Sequence, residues 1–119
     1  MIKEDYVSFE TAKLLKEKGF NEPCLMCYTS DKKLGNYGHY NSYKNSDVFS
    51  LTAPTIQMAM KWLREVHHLF INIEPLTGIK YTWSIWFMNE SKEAESSLVY
   101  DTYKEACEAA IKYCCENLI

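Results

Sequence analysis

The chain has 119 residues, of which 47% are hydrophobic and 24% are charged, and its net charge at pH 7 is −3. This composition is typical of a folded globular protein and argues against a mostly disordered chain. The small negative charge excludes a strong overall attraction to DNA or to an anionic membrane. From the length we expect a single domain over residues 1–119.

Export and membrane insertion are not expected from the sequence. The N-terminus, MIKEDYVSFE, has no apolar signal core, and no window approaches the roughly 20 apolar residues of a membrane span. The five cysteines are odd in number and two of them are adjacent, which is a poor disulfide framework. We therefore expect a cytoplasmic protein with buried thiols and no membrane association.

The first predicted elements are a helix and a strand. The segment VSFETAKLLKEKGF (7–20) has an N-cap in Ser8, and Gly19 suits the left-handed position of a Schellman turn in which Phe20 folds back onto Leu15. The apolar stretch CLMCYTS (24–30) predicts a strand. The residues of the helix predicted to face inward are Phe9, Ala12 and Leu15.

A long polar connection is predicted next, over residues 31–47, because Asn, Ser, Gly and Tyr occur there without a clear period. VFSL (48–51) is a candidate second strand. The segment APTIQMAMKWLREVHH (53–68) then predicts a central helix, with Pro54 at its first position and the two histidines at its exit. Its predicted apolar positions are Ile56, Met58, Ala59, Met60, Trp62, Leu63 and Val66.

The remaining segments predict a hairpin, a loop and a last helix. LFINIEP (69–75) and IKYTWSIWFM (79–88) alternate as paired strands, and NESKEAESS (89–97) is a predicted exposed loop. Thr102 and Glu105 match a capping box before a helix that runs to the C-terminus. The fold predicted is α+β, in the order α-β-(β)-α-β-β-α, with an antiparallel sheet of three to four strands packed with helices.

Three stretches resemble small uncharacterised proteins encoded by phages and prophages of gut bacteria. They are VSFETAKLLKEKGF, APTIQMAMKWLREVHHLFINI and YDTYKEACEAAIKYCCENLI, which together cover about half of the chain. The resemblance is carried by core and capping residues. It implies a compact α+β domain and a phage or mobile-element setting, and it implies no activity.

The residue patterns that usually carry chemistry favour structural interpretations in this chain. Cys24 and Cys27 form a C-x-x-C, but no second pair completes a zinc ribbon, and the pair follows a helix end rather than opening a helix. Strand alternation places one of these thiols in the core and the other on the far face of the sheet. His67 and His68 are expected to end a helix. We expect no catalytic residue, no metal site and no cofactor, with a metal- or cysteine-dependent enzyme as the least favoured alternative.

Binding residues are predicted in two places. In LGNYGHYNSYKNSD, Tyr37, Tyr40 and Tyr43 recur every third residue beside His39 and Lys44, a mixture typical of binding loops. In the hairpin, an exposed Trp86 beside Phe70 could form a homodimer patch or the floor of a groove.

The favoured function is a non-catalytic protein-interaction module, an accessory or regulatory factor of a phage or prophage with an unknown protein partner. The alternative is a single-stranded nucleic-acid-binding protein that uses residues 31–47, where Tyr and His would stack on bases beside Lys32, Lys33 and Lys44.

Overall fold

The computed structural model describes residues 1–36, 43–47 and 51–119. The chain divides into two units, Met1–Thr55 and Ile56–Ile119; one domain over residues 1–119 stays a prediction. Within the described residues, helices and two antiparallel sheets confirm the predicted α+β class. In chain order the elements are α1 (Phe9–Glu17), β1 (Cys27–Tyr28), β2 (Leu34–Gly35), α2 (Ile56–His67), β3 (Leu69–Leu76), β4 (Lys80–Phe87), β5 (Lys92–Glu95) and α3 (Tyr103–Tyr113), followed by a π-helical segment, Cys114–Leu118.

The start of α1 confirms the predicted N-cap. Ser8 has extended backbone, and its side chain accepts a hydrogen bond from the N–H of Thr11 at 3.3 Å. Phe9, predicted to face inward, is only half-buried. Its ring packs edge-on against Tyr28, with 5.6 Å between the ring centroids. The buried side chains of α1 are Thr11, Ala12 and Leu15.

The end of α1 is the predicted Schellman turn. Gly19 has φ +93°, and its N–H donates to the carbonyl of Lys16 at 3.1 Å. The N–H of Phe20 donates to the carbonyl of Leu15 at 2.9 Å, and both of these side chains are buried. Glycine is the residue that adopts this left-handed backbone without steric cost, which is why the sequence marks the helix end so clearly.

The strand predicted over residues 24–30 is shorter than predicted, and it belongs to a separate two-stranded sheet with a strand that was not predicted. β1 spans only Cys27–Tyr28, and it pairs antiparallel with β2, so that Cys27 lies opposite Gly35 and Tyr28 opposite Leu34. β2 lies inside the segment predicted to be an irregular connection, and that prediction was wrong for these residues. A two-residue strand held by backbone pairing has no side-chain alternation that a sequence pattern could reveal. The candidate strand at 48–51 falls mainly on residues 48–50, which lie outside the described residues.

The helix α2 begins two residues later than predicted. Pro54 is not its first residue, because the Pro54 carbonyl accepts the N–H of Val7 at 3.1 Å and Thr55 forms a β-bridge with Tyr6. At the other end the prediction is confirmed: His67 is the last helical residue, and His68 has left-handed backbone with φ +58°. The buried residues of α2 are Ile56, Ala59, Met60, Trp62 and Leu63, whereas Met58 and Val66 are exposed.

The predicted hairpin of β3 and β4 is confirmed in type and register. Leu69 lies opposite Phe87, Ile71 opposite Ile85 and Ile73 opposite Trp83, so these residues share one face of the sheet, here called the inner face. Both α2 and α3 contact β3, and α3 also contacts β4. The inner-face residues that are buried are Leu69, Ile71, Trp83 and Ile85.

A third strand continues this sheet where a loop was predicted. β5 pairs antiparallel with β4, with Ala94 opposite Ile85 and Glu93 opposite Trp86. The prediction of a loop over 89–97 was wrong at Lys92–Glu95. This sequence, KEAE, has neither β-branched nor aromatic residues, so its strand depends on backbone hydrogen bonds to β4, which the sequence does not display.

The helix α3 begins at the predicted cap. The Oγ1 of Thr102 accepts the N–H of Glu105 at 3.0 Å, and the Thr102 hydroxyl donates to the Glu105 carboxylate at 3.0 Å. Tyr103 and Tyr113 line the sheet with their rings, Tyr103 edge-on to Tyr81 and Tyr113 5.0 Å from Trp83. The buried residues of α3 are Ala106, Cys107, Ala110 and Ile111.

The turn between β3 and β4 contains a strained residue. Ile79 has φ +58° and is 82% exposed. Left-handed backbone costs an L-residue roughly 1–2 kcal/mol, and a glycine costs roughly 0.5–1 kcal/mol of added unfolded-state entropy. We therefore expect Ile79→Gly to raise the free energy of unfolding by roughly 0.5–1 kcal/mol, measured by urea denaturation.

The matched control is Thr77→Gly in the same turn, because Thr77 does not have positive φ. This substitution should lower the free energy of unfolding by about 0.5–1 kcal/mol. Equal shifts of the urea midpoint in the same direction for both variants would contradict the assignment of strain to Ile79.

Candidate binding surface

An aromatic pair is exposed on the face of the sheet opposite to the inner face, here called the outer face. Trp86 on β4 is 54% exposed, and Phe70, directly opposite on β3, is 42% exposed. Glu93 on β5 lies opposite Trp86 on its other side, so one row crosses all three strands. The predicted exposure of Trp86 beside Phe70 is confirmed.

A shallow depression lies beside this aromatic pair. It has a volume of about 400 Å³ and is lined by Trp86 together with residues 90–93. Lys92, although it lies in this segment, carries its ammonium group 4.8 Å from the centroid of the Phe87 ring. Phe87 belongs to the inner-face row of the sheet, so this contact draws the ammonium group of Lys92 toward the inner-face row.

The outer face carries carboxylates around its aromatic centre. The next outer-face row beyond that of Phe70, Trp86 and Glu93 consists of Asn72 on β3, Ser84 on β4 and Glu95 on β5. In the row after it, Glu74 lies opposite Thr82. Glu90, Glu93 and Glu95 are exposed, and within the described part of the chain no ion pair involves them. Among the outer-face residues of β4, Lys80 carries a positive charge, and its ammonium group pairs with the carboxylate of Asp101. The outer face therefore combines an apolar centre with negative charge.

Tyr43 and Lys44, two of the predicted binding residues, lie among the described residues. Tyr43 forms a β-bridge with Cys24 through two backbone hydrogen bonds of 2.6 and 2.7 Å, and its hydroxyl oxygen is buried. Lys44 is exposed, and its backbone N–H donates to the carboxylate of Asp47 at 2.9 Å. The other three predicted residues of this segment, Tyr37, His39 and Tyr40, lie outside the described residues.

A buried asparagine holds this segment in place, and the sequence patterns did not single it out. The Nδ2 of Asn45 donates to the carbonyl of Phe20 at 2.8 Å, and its Oδ1 accepts the N–H of Thr52 at 2.9 Å. One side chain thus joins the end of α1 to the strand-like residues before α2. An asparagine in a polar loop gives no signal of such a role, because its partners are distant in sequence.

Both cysteines of the C-x-x-C are buried, so the expectation that one lies on a far face was wrong. The chain bends at Leu25, and β1 starts only at Cys27, so strand alternation does not relate the two thiols. Burial raises the pKa of the Cys24 thiol; the nearby hydroxyl of Thr52 opposes this rise, and the carboxylate of Glu22 adds to it. A thiol with a raised pKa is a poor nucleophile at neutral pH.

The three other cysteines, Cys107, Cys114 and Cys115, are fully buried. Burial raises the pKa of Cys114 to about 12, and the neighbouring Cys115 adds to the effect. The chain contains five cysteines in total, and none forms a disulfide. These thiols behave as small apolar side chains of the core.

The histidine pair at the end of α2 has a structural environment. The ring of His67 lies edge-on to Trp62 with 4.7 Å between centroids, and its Nε2 is buried with no hydrogen-bond partner among the described residues. Desolvation lowers the pKa of His67, and the neighbouring His68 lowers it further. Among residues 1–36, 43–47 and 51–119, no three His, Cys, Asp or Glu side chains group as metal ligands would.

Comparison with known proteins found no matching family model, no matching curated protein and no matching solved structure. In the described part of the chain, none of the helices has the length and apolar character needed to cross a membrane.

The buried thiols predict slow chemical modification. With Ellman's reagent at pH 8, the native protein should show no fast-reacting thiol, because all five thiols are buried and must wait for local opening. After denaturation all five should react. One thiol that reacts in the native protein at the rate of a small-molecule thiol would contradict this assignment.

The environment of His67 predicts a pH dependence of stability. Because its pKa is lower in the folded protein than the unfolded value of about 6.5, the unfolded chain binds the proton more tightly. The stabilisation is therefore present above pH 6.5 and is lost as the pH falls below that value. When the pH is lowered from 7.5 to about 5, the free energy of unfolding, measured by urea denaturation, should fall more for the wild type than for His67→Gln. Equal falls would contradict the assignment of this pH dependence to His67.

Proposed function

We propose that this protein is a protein-interaction module whose contact surface is the outer face of the β3–β4–β5 sheet. The observation that carries the proposal is the exposed pair of Trp86 and Phe70, adjacent across two strands. Tryptophan is among the residues that most often dominate the energy of protein interfaces. The pair is held on paired strands rather than on a loop, so little conformational entropy is lost when a partner binds.

The chemistry of the remaining residues supports a non-catalytic role. The five thiols are buried, and burial raises the pKa of two of them, Cys24 and Cys114. The histidine pair ends a helix, and His67 packs against a tryptophan. We further propose a cytoplasmic accessory or regulatory factor of a phage or prophage, on the strength of the sequence resemblance.

Binding of single-stranded nucleic acid through residues 31–47 is the alternative function. The Tyr-rich segment motivates it, but the described cations there are partly engaged: the ammonium group of Lys32 lies 3.6 Å from the carboxylate of Glu10 and 5.2 Å from the centroid of the Phe9 ring. On the outer face of the sheet, negative charge opposes phosphate. The observations therefore favour a protein partner.

Removal of the aromatic pair should abolish partner capture. The double variant Phe70→Ala/Trp86→Ala loses the apolar centre of the outer face, and a central aromatic anchor contributes about 2 kcal/mol or more to an interface. We expect capture of the specific partner from phage-infected host extract, quantified by mass spectrometry, to fall by more than tenfold. The melting temperature should fall less than for truncation of a core aromatic residue, because the two side chains are 42% and 54% exposed.

The matched control is Leu25→Ala, which removes an apolar side chain that is 63% exposed on the other unit. This variant should capture the partner as wild type does. Equal capture by wild type, the double variant and the control would rule out the outer face as the contact surface. Loss of capture in Tyr43→Ala/Lys44→Ala alone would instead favour the segment 31–47.

A further inference from the structure

The edge of β5 that faces away from β4 pairs with no strand of the described residues, and it offers backbone hydrogen-bonding groups to a partner. In the order β3–β4–β5, β5 is an edge strand. The N–H of Ser96 donates to the carbonyl of Trp83 at 3.0 Å, so these two residues form a hydrogen-bonded pair. Hydrogen-bonded and non-hydrogen-bonded pairs alternate along an antiparallel ladder. Ala94 therefore exchanges hydrogen bonds with β4, whereas the N–H and C=O groups of Glu93 and Glu95 point away from β4. Both glutamates are exposed.

The side chains of the same two residues face the outer surface beside the aromatic pair. Glu93 lies in the row of Phe70 and Trp86, and Glu95 lies in the next row along β5. A strand added at this edge would place alternate residues directly opposite these carboxylates, at the separation where opposite charges in a sheet attract. A long cationic side chain there could also extend toward Trp86, whose ring face attracts cations.

We propose that the β5 edge binds an extended peptide segment of a partner protein that carries Lys or Arg at alternate positions. This inference rests on the proposed function and specifies the partner's chemistry. Backbone hydrogen bonds to Glu93 and Glu95 supply the affinity of strand addition, and the two carboxylates with Trp86 select the cations. The charge of the outer face matches this cationic peptide. Within the described residues no ion pair involves the carboxylates of Glu90, Glu93 and Glu95.

A second copy of the chain fits this edge less well. Residues that pair across two strands lie on the same face, so antiparallel pairing of two β5 strands would bring Glu93 and Glu95 opposite the same glutamates of the other copy. Like charges directly opposite one another destabilise a sheet. The charge pattern therefore favours a cationic strand over self-association.

The test uses a labelled peptide of about eight residues in which Arg and Thr alternate, titrated into the full chain and followed by fluorescence anisotropy. Glu93→Gln/Glu95→Gln should weaken binding by roughly twofold to fivefold per carboxylate, because each exposed ion pair contributes little. The matched control, Glu17→Gln/Glu116→Gln, makes the same change of net charge at exposed sites on α1 and the C-terminal segment and should bind as wild type does.

Two further peptides separate strand addition from simple charge attraction. A peptide of the same composition with its arginines in adjacent pairs should bind more weakly, because it cannot place all its cations on one face. A peptide with N-methylated backbone at alternate positions should lose binding, because it cannot hydrogen-bond to Glu93 and Glu95. Equal binding of all three peptides would overturn the proposal. It would also be overturned if the protein dimerised at high concentration, if the dimer displaced the peptide, and if Glu93→Gln/Glu95→Gln strengthened the dimer.

The failure of this inference is distinct from failure of the proposed function. If partner capture depends on Phe70 and Trp86 while no alternating cationic peptide binds, the outer face is still the contact surface and the partner chemistry is overturned. If capture is unaffected by the aromatic double variant, the proposed function itself fails.

Discussion

The register of β3 against β4 is the constraint on which the C-terminal unit depends. Side chains alternate between faces with a period of two, so a slip of one residue would move Trp83 and Ile85 out of the core and turn Trp86 inward. Burial of the inner face selects one register out of these alternatives. The same choice determines which aromatic residues are exposed, so core packing and the candidate binding surface have a single physical origin.

Backbone hydrogen bonding extends this constraint to the charged end of the sheet. β5 has almost no apolar surface to bury, and it is held in place by its ladder with β4. Charged side chains on an edge strand usually prevent uncontrolled pairing with other strands. On β5 the two residues of the outer face, Glu93 and Glu95, both carry negative charge, which would favour a strand of opposite charge over a second copy of the same edge.

The helix ends and the hairpin could be predicted because their signals are local. Ser8, Gly19 and Thr102 each act within a few residues of their own positions, and each has the predicted role. The short strands β2 and β5 could not be predicted, because backbone pairing with the neighbouring strand holds them and neither sequence, LG or KEAE, shows a hydrophobic alternation. The start of α2 could not be predicted either, because Pro54 and Thr55 pair with Val7 and Tyr6, which are distant in sequence. The wrong placement of Cys24 has a related cause: alternation is a property of a continuous strand, and the chain bends at Leu25, between the bridge of Cys24 with Tyr43 and the start of β1 at Cys27.

The sequence by itself determined the α+β class and the order of the main elements, because hydrophobic period and capping residues act over a few residues. Only the tertiary structure decided that the carboxylates of Glu93 and Glu95 lie beside the aromatic pair of the outer face and that their backbone groups face outward. These facts depend on which strand pairs with which and in what register, and that is set by burial and by backbone hydrogen bonding between strands, which no local pattern displays.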